Sequence, residues 1–508
     1  MRLSVLDLGS NSFHVLVADV DETGMVVPVA REREMLHLGA VVAEHGSIPD
    51  DVRADAVAVV AHFTALATRL GAEQRLAVAT SALRDADNGP SVVAHMEIAA
   101  DTTIRVIDGH EEGELAFAGV AASLGAATSP RLMLDLGGGS LELAVGTGHT
   151  VDHATTFPVG VSRLAGMLAD DPPSKKDVTR LRQHVREVLA PAIDDFPLDD
   201  VTQVVAVGGT VRALARVAAA RAGRWLPATL NLLHLERAQF TDLRKRLTRM
   251  DRDDRLDEPG MKAKRADHVH VAATIVDTVL RELGIDEVVV SDWGLREGVL
   301  LQARAAVPPA LPELREREVV RMQQTFLPDD PHLDHVGGLA ARLFDATTDL
   351  HDLDEADRDL LVAGARLHGV GQSLALRRQH HHGAYLIEHM ELRGFSPRET
   401  AMLCCMARFH STRGMSAKFP AFAAMDDTDR EVARQLVALV QVADGLDRAR
   451  DQAVDDVEVR RNRDVVGLRL RGDQLHVAVE EVQRRTAFFE QVFDVTVVVT
   501  VAPAGPTA

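Results

Sequence analysis

The chain predicts an α/β fold in which one lobe is duplicated, followed by a mostly helical domain. Three observations carry that expectation. Two segments, VLDLGSNSFHVLVADV from Val5 and LMLDLGGGSLELAVG from Leu132, share one signature: an apolar strand, Asp-Leu-Gly, a small-residue turn with a Ser, and a second apolar strand. Each signature supplies the first two of three strands, which alternating helices and strands follow, the pattern of a layered α/β lobe. Beyond the proline-containing stretch AAVPPALPEL at 305–314 the pattern changes to helical periodicity, dense in His.

The elements follow in order. The first lobe, residues 1–127, reads as strands RLSVLDL, SFHVLVADV and MVVPVAR, then helix DVRADAVAVVAHFTALATRLG. Strand RLAVATSAL, a helix near VVAHMEIAA, strand TIRVID and helix ELAFAGVAASLG complete it. The second lobe, residues 128–308, reads as strands RLMLDL, LELAVG and TVDHATTF, then a helix from Asp177 to Ile193. Strand TQVVAVGG, helix VRALARVAAA, a long helix from Arg265 to Leu283, strand DEVVVSD and helix LREGVLLQA follow. Residues 309–508 read as helices up to about 450, then strands VVGLRLRG, QLHVAVEEV and VTVVVTV around a helix at RRTAFFEQVF.

Composition bounds the function. A length of 508 residues exceeds a single core and calls for about three domains. The net charge of −20 argues against a general nucleic-acid or membrane-surface binder, which normally presents a basic face. Basic clusters at 244–250 (LRKRLTR), 262–265 (KAKR), 376–382 (LRR before HHH) and 460–463 (RRNR) read as solvated faces rather than a substrate channel. No apolar run reaches about 18 residues and no basic-then-apolar leader precedes the first strand, so a cytoplasmic protein is expected. The two cysteines, Cys404 and Cys405, are adjacent in a helical segment and read as small buried hydrophobes in a reducing compartment.

The chemistry concentrates in the turns. Gly9, Ser10, Asn11 and Ser12, and again Gly137, Gly138, Gly139 and Ser140, expose backbone N–H groups where glycine permits close approach, a nest for phosphate oxygens. Gly208, Gly209 and Thr210 open a helix at Val211, whose N-terminus favours phosphate; a purely structural strand-to-helix turn reads the same way. Glu111 and Glu112 start a helix, where acidic residues also simply favour the helix dipole. Arg84, in a loop after RLAVATSAL, reads either as a bidentate phosphate grip or as an ion pair with Asp85 or Asp87. Two such turns a domain apart imply a phosphate chain clamped between two lobes.

At this point a resemblance is visible. DLGSNS (7–12), ATSALRDADN (79–88), GHEEGELAFAGV (109–120), DLGGGSLEL (135–143), GGTVRALA (208–215), KRADHVH (264–270) and SDWGLREGVLL (291–301) stand in order over residues 1–305. The ordered set resembles the exopolyphosphatase and guanosine pentaphosphate phosphohydrolase family, built on duplicated actin/Hsp70/sugar-kinase-like (ribonuclease H-like) lobes. The resemblance implies release of terminal phosphate from inorganic polyphosphate, or of the 5′ phosphate of guanosine pentaphosphate, by a cytoplasmic homodimer using Mg²⁺ or Mn²⁺. It gives Glu112 the role of general base, Asp135 and Glu142 that of metal holders that position water, with Asp7 as a third candidate, and Arg84 that of a phosphate ligand. A sugar kinase or ATPase on this fold, and a non-catalytic polyphosphate or nucleotide sensor, are the competing classes. Two departures stand out: the family carries Thr where this chain has Leu141, and Ala where it has Gly113.

The helical region resembles an HD-type metal phosphohydrolase domain through HVGGLAARLFD (335–345), GARLHGVG (364–371), HHHGAYLIEH (380–389) and VADGLDRAR (442–450). His335, His368 and Asp444 match that pattern, but Gly369 replaces the paired Asp. Loss of that ligand implies a catalytically silent domain. His380, His381 and His382 read as a solvated loop.

Overall fold

The computed structural model describes residues 1–168, 170–193, 196–412 and 414–502. They form two compact units: residues 1–222 with 230–314, and residues 223–229 with the chain from Arg315 onward.

The first unit contains two sheets of like topology. One holds β1 (Arg2–Leu8), β2 (Ser12–Val20), β3 (Val26–Met35), β4 (Gln74–Ala79) and β5 (Arg105–Val106) in the order β3-β2-β1-β4-β5. The other holds β6 (Ala127–Leu136), β7 (Leu141–Gly148), β8 (Thr150–Phe157), β9 (Gln203–Val207), β10 (His234–Glu236) and β11 (Glu287–Val290) in the order β10-β11-β9-β6-β7-β8. In each, an antiparallel three-strand meander is extended through its first strand by a parallel neighbour, β1 to β4 and β6 to β9. The duplication read from the sequence is therefore a duplication of topology.

The central strands are apolar on both faces because both faces are covered. Leu6 and Leu8 of β1 pack with Val60 and Phe63 of the Asp50–Arg69 helix, while Leu3 and Val5 face Val299 and Leu300 of the Leu295–Arg304 helix. That second contact crosses the sequence boundary at 127/128: a helix read as part of the second lobe packs on the first lobe's sheet. The Gly109–Leu124 helix does the converse, with Ala116, Phe117 and Val120 set against Met133, Ala144 and Val205 of the second sheet. The two helices pack together so closely that a Cβ on Gly119 would overlap the Gly294 carbonyl, and one on Gly298 the Leu115 carbonyl.

Two sequence-derived elements are revised here. Strand RLAVATSAL ends at Ala79, and Ser81–Asp85 is a short helix, so Arg84 is helical rather than in a loop. Ser10 causes the change: its Oγ accepts the Ala82 amide (3.1 Å) and bonds Ser81 Oγ (2.7 Å), which pulls the chain out of the sheet. The long helix predicted from Arg265 begins at Val269, after a 3₁₀ turn at Ala263–Arg265. The stretch 305–314 stays with the first unit, where Pro309 O accepts the Ala126 amide at 2.8 Å.

In the second unit, helices pack around a core that includes Leu339, Leu361, Met402 and Leu436. Cys404 and Cys405 are buried in the Pro397–Phe409 helix and carry free thiols. The small sheet runs β12 (Val454–Asn462), β13 (Val465–Gly472), β14 (Thr496–Val501), in that order. The predicted strand QLHVAVEEV lies almost wholly in a helix, His476–Phe493, because Ala478, Val482, Thr486 and Phe489 bury one stripe at three- and four-residue spacing. His380, His381 and His382 lie in the Gln379–His389 helix, not in a loop.

These glycines separate propensity from packing. A Cβ on Gly113 would sit 3.6 Å from Ala154 Cβ and 3.9 Å from Ala144 Cβ, ordinary contact. Gly113→Ala is expected to stabilise the protein by about 1 kcal/mol, since alanine favours a helix that has room for it. Gly298→Ala is expected to cost about 1–3 kcal/mol through overpacking. Denaturant unfolding of both variants checks the pair; equal effects would contradict this helix packing.

Candidate active site

The two glycine turns meet. A Cβ on Gly138 would stand 3.0 Å from Asn11 Cβ, and one on Gly139 would overlap Ser81 Oγ and Ser10 Oγ, so only glycine lets the turns touch. Among the described residues the Gly138 and Gly139 amides donate to no protein acceptor, which leaves them open to a ligand. The Gly138 and Gly139 carbonyls are committed: Gly138 accepts the Ser162 amide at 2.8 Å and Gly139 the Arg163 Nε at 2.8 Å. Gly208 adopts φ 100°, a conformation that suits glycine, and delivers the Gly209–Arg221 helix N-terminus to the same cleft.

Strand register decides which side chains face that cleft. Asp135 on β6 is the direct cross-strand partner of Glu142 on β7, so the two share a face. Leu141, one residue earlier, points the other way and is fully buried. The Thr-to-Leu departure thus fills core and removes nothing from the cleft. In the first copy Asp7 on β1 pairs with His14 on β2, the same seven-residue spacing with His in place of Glu. Glu112 enters from the first turn of its helix, behind Asp108, whose side chain caps the Glu111 amide at 2.9 Å.

Four carboxyl groups therefore converge, and each is raised above its ordinary range. Loss of water pushes Asp7 up to about 6, with Arg296 opposing. Desolvation and Asp7 raise Asp135 to about 6. Desolvation and Asp135 raise Glu142 to about 8, although Ser140 and Thr156 hydrogen-bond it. Desolvation, then Glu142, Asp135 and Asp7, lift Glu112 well above the carboxylate range. Among the described residues its Oε2 is buried without a hydrogen-bond partner, and Arg84 Nη1 stands 3.8 Å away.

The cleft continues into a basic region that the sequence reading missed. Arg33, Arg212, Lys264, Arg265 and Arg296 line it beside His14. KAKR at 262–265 is thus not a solvated face: Lys264 and Arg265 line the cleft, and burial and neighbouring arginines lower both in pKa. Arg265 Nη1 lies 3.4 Å from Thr210 Oγ1. Burial and these arginines hold His14 neutral, down to about 2. Its Nδ1 accepts from Arg296 Nη1 (3.2 Å), which leaves Nε2–H to donate to Ser12 Oγ (2.8 Å) and frees the Ser12 hydroxyl proton for a ligand. The available signal was spacing: Asp7/His14 repeats Asp135/Glu142.

All the expected site residues except Arg84 line this one cleft: Asp7, Gly9, Ser10, Asn11, Ser12, Glu112, Asp135, Gly137, Gly138, Gly139, Ser140, Glu142, Gly208, Gly209 and Thr210. Arg84 is set back; its Nη1 donates to Ile107 O at 2.8 Å, and its Nε lies 3.6 Å from Asp85. Its charge opposes the rise of both Glu112 and Glu142.

Fold and cleft place the chain among the phosphohydrolases built on duplicated actin/Hsp70/sugar-kinase-like lobes. It belongs to the Ppx/GppA phosphatase family: the family profile matches residues 16–305, and that of Ppx/GppA phosphatase domain III matches residues 314–483. Exopolyphosphatase 1 of Mycobacterium tuberculosis is 32% identical over 307 residues, which span 59% of this chain and 88% of the relative, and the Mycobacterium bovis protein gives the same values. Among solved structures, an exopolyphosphatase from Cytophaga hutchinsonii is 27% identical with a TM-score of 0.55, covering 61% of this chain and all (100%) of its own. The Aquifex aeolicus Ppx/GppA family member is 25% identical with a TM-score of 0.52, covering 60% and 97%.

Raised carboxyl pKa values make a stability prediction. Asp and Glu ionise near pH 4 when unfolded, so here the folded state binds the extra protons. Stability from these groups is present below about pH 4 and is lost as pH rises through 6 and 8. Protein stripped of cations is expected to melt at lower temperature as pH climbs from about 5 to 8, and Glu142→Gln to flatten the upper part of that fall. Calorimetric scans across pH test this; a parallel slope in wild type and variant would contradict it.

Proposed function

We propose that this chain is an exopolyphosphatase that removes the terminal phosphate of inorganic polyphosphate. One observation carries the reading: a single cleft joins an acidic end, where Glu112 Oε2 lacks a hydrogen-bond partner among the described residues, to a basic end lined by Arg33, Arg212, Lys264, Arg265 and Arg296. The names of its relatives support the substrate.

The residues divide the work. The open Gly138 and Gly139 amides, the Ser12 hydroxyl and the Gly209–Arg221 helix N-terminus bind the oxygens of the terminal phosphate. Arg212, Arg265, Arg296 and Lys264 hold the following phosphates by charge. Asp135 and Glu142, with Asp7 beside them, form an oxygen-only donor set whose mutual repulsion suits a hard divalent ion; Mg²⁺ or Mn²⁺ held there would supply neutralisation of charge developing on the phosphoryl oxygens. Glu112, ionised once positive charge occupies the cleft, takes the proton of the attacking water. The water oxygen bonds to the terminal phosphorus, the bridging P–O bond breaks, and the shortened chain leaves as the anion. Arg84 positions Glu112. A cytoplasmic homodimer belongs to the same proposal, supported by the family resemblance and the free thiols of Cys404 and Cys405.

Glu112→Gln is expected to lower kcat for phosphate release from long-chain polyphosphate by about 10²–10⁴-fold with the fold intact. Undiminished release would remove Glu112 from the chemistry. Lys264→Ala with Arg265→Ala is expected to raise KM for polyphosphate more than it lowers kcat, which separates chain binding from the reaction. Faster release from guanosine pentaphosphate than from polyphosphate in the same assay would reassign the substrate.

A further inference from the structure

The second unit buries a cluster that the proposed hydrolysis does not use. His332, near the start of the Pro331–Ala346 helix, His368, at the end of the Glu355–Leu367 helix, and Asp444, in the Asp427–Leu446 helix, are 1%, 2% and 0% exposed. One ligand atom from each lies within 4.8 Å of the others. The histidine nearest Asp444 on that helix is therefore His332, not the His335 expected from the sequence. His332 projects one helical turn earlier, toward Asp444 and Asp447.

Hydrogen bonding fixes which atoms face inward. His332 Nδ1 is held by Asp447 Oδ2 at 2.8 Å, and Asp447 Oδ1 accepts the Gln452 amide at 2.8 Å. His368 Nδ1 is held by the Ala365 carbonyl at 2.5 Å. Both rings thus spend Nδ1–H as a donor and turn the Nε2 lone pair toward one atom, Asp444 Oδ1, at 3.5 and 3.4 Å. Asp444 Oδ2 is occupied by Arg485 Nη1 at 2.8 Å. Among the described residues, His332 Nε2 and Asp444 Oδ1 are buried without a hydrogen-bond partner.

Three electron-rich atoms face one another with no donor within hydrogen-bond reach, Arg448 Nη1 standing 3.9 Å from Asp444 Oδ1, an arrangement that costs free energy unless something positive joins them. A proton on either Nε2 does not close the gap, because 3.4–3.5 Å exceeds a good N–H···O distance of about 2.7–3.2 Å. A tetrahedral ion with ligands at about 2.0–2.2 Å separates those ligands by about 3.3–3.6 Å, which is the spacing of both His–Asp444 pairs, and the third pair lies within 4.8 Å. We propose that His332, His368 and Asp444 hold a single divalent transition-metal ion of the Zn²⁺ class, which ties three helices of the second unit together. Two imidazoles and one carboxylate favour Zn²⁺ or Fe²⁺ over Mg²⁺, in contrast to the oxygen-only set of the cleft. Gly369 brings no ligand for a second ion, so the site is mononuclear and structural. Asp447 and the Ala365 carbonyl are the positioning groups behind the rings.

The experiment uses the full chain, stripped with a chelator and titrated with Co²⁺ and Zn²⁺. One equivalent of Co²⁺ with tetrahedral ligand-field absorption is expected in wild type and in the cleft double variant Asp135→Asn/Glu142→Gln. His368→Gln is expected to abolish that band, and Asp447→Asn to weaken Zn²⁺ binding about 10–100-fold. Zn²⁺, but not Mg²⁺, is expected to raise the melting temperature. X-ray absorption at the Zn edge of wild-type protein needs no variant to fold and should show two imidazole ligands. An all-oxygen shell, a band that survives His368→Gln or one lost with the cleft variant, or absence of any bound equivalent would overturn the proposal.

Discussion

Repulsion among Asp7, Glu112, Asp135 and Glu142 organises the cleft. Four carboxyls drawn from two strand pairs and one helix are held where little water reaches them, and all four are pushed toward the protonated form. Such a group of acids is a liability to folding, and in the proposed function it becomes an asset, because the site would receive a cation and a polyanion together. The arginines and lysine at the other end of the cleft face the same problem with opposite sign, as the depressed pKa of His14 and Arg265 records. Each end is uncomfortable alone, and in the proposed function a phosphate chain with its counter-ion would relieve both.

Holding that arrangement falls to backbone contacts where side chains are missing. Gly139 lets one glycine turn touch the other, and Gly119 and Gly298 let the Glu112 helix lie against the Leu295–Arg304 helix. Because that pair of helices serves both sheets, Glu112 is set by the cores of two lobes at once. Separation of the lobes would move Glu112 away from one half of its partners, so packing and chemistry are linked through the same glycines.

Much of this was legible residue by residue. Asp-Leu-Gly turns, their repetition and the ordered segments to residue 301 located nearly every group that lines the cleft, because turns and helix starts declare themselves through local residue types. Arg33, Arg212 and Arg296 were not legible, since an arginine on a strand or helix surface looks the same whether it meets water or a cleft. KAKR misled for that reason. His476–Phe493 misled differently: Val477 and Val479 alternate like a strand, and only the packing of Val482 and Phe489 against the core selects the helix. His335 and His332 lie within one turn of a helix, and the rotation that chooses between them belongs to the bundle.

By itself the sequence determined the duplicated α/β lobes, the glycine turns that line the cleft and the identity of the acids, because each rests on local conformational preference and spacing. Tertiary structure alone decided that Asp135 faces Glu142 while Leu141 turns to the core, that Arg84 stands behind Glu112 rather than in the cleft, and that His332 joins His368 and Asp444. The reason is physical. Local preference sets the shape of an element, whereas strand register and helix rotation are settled by which faces find an apolar surface to bury.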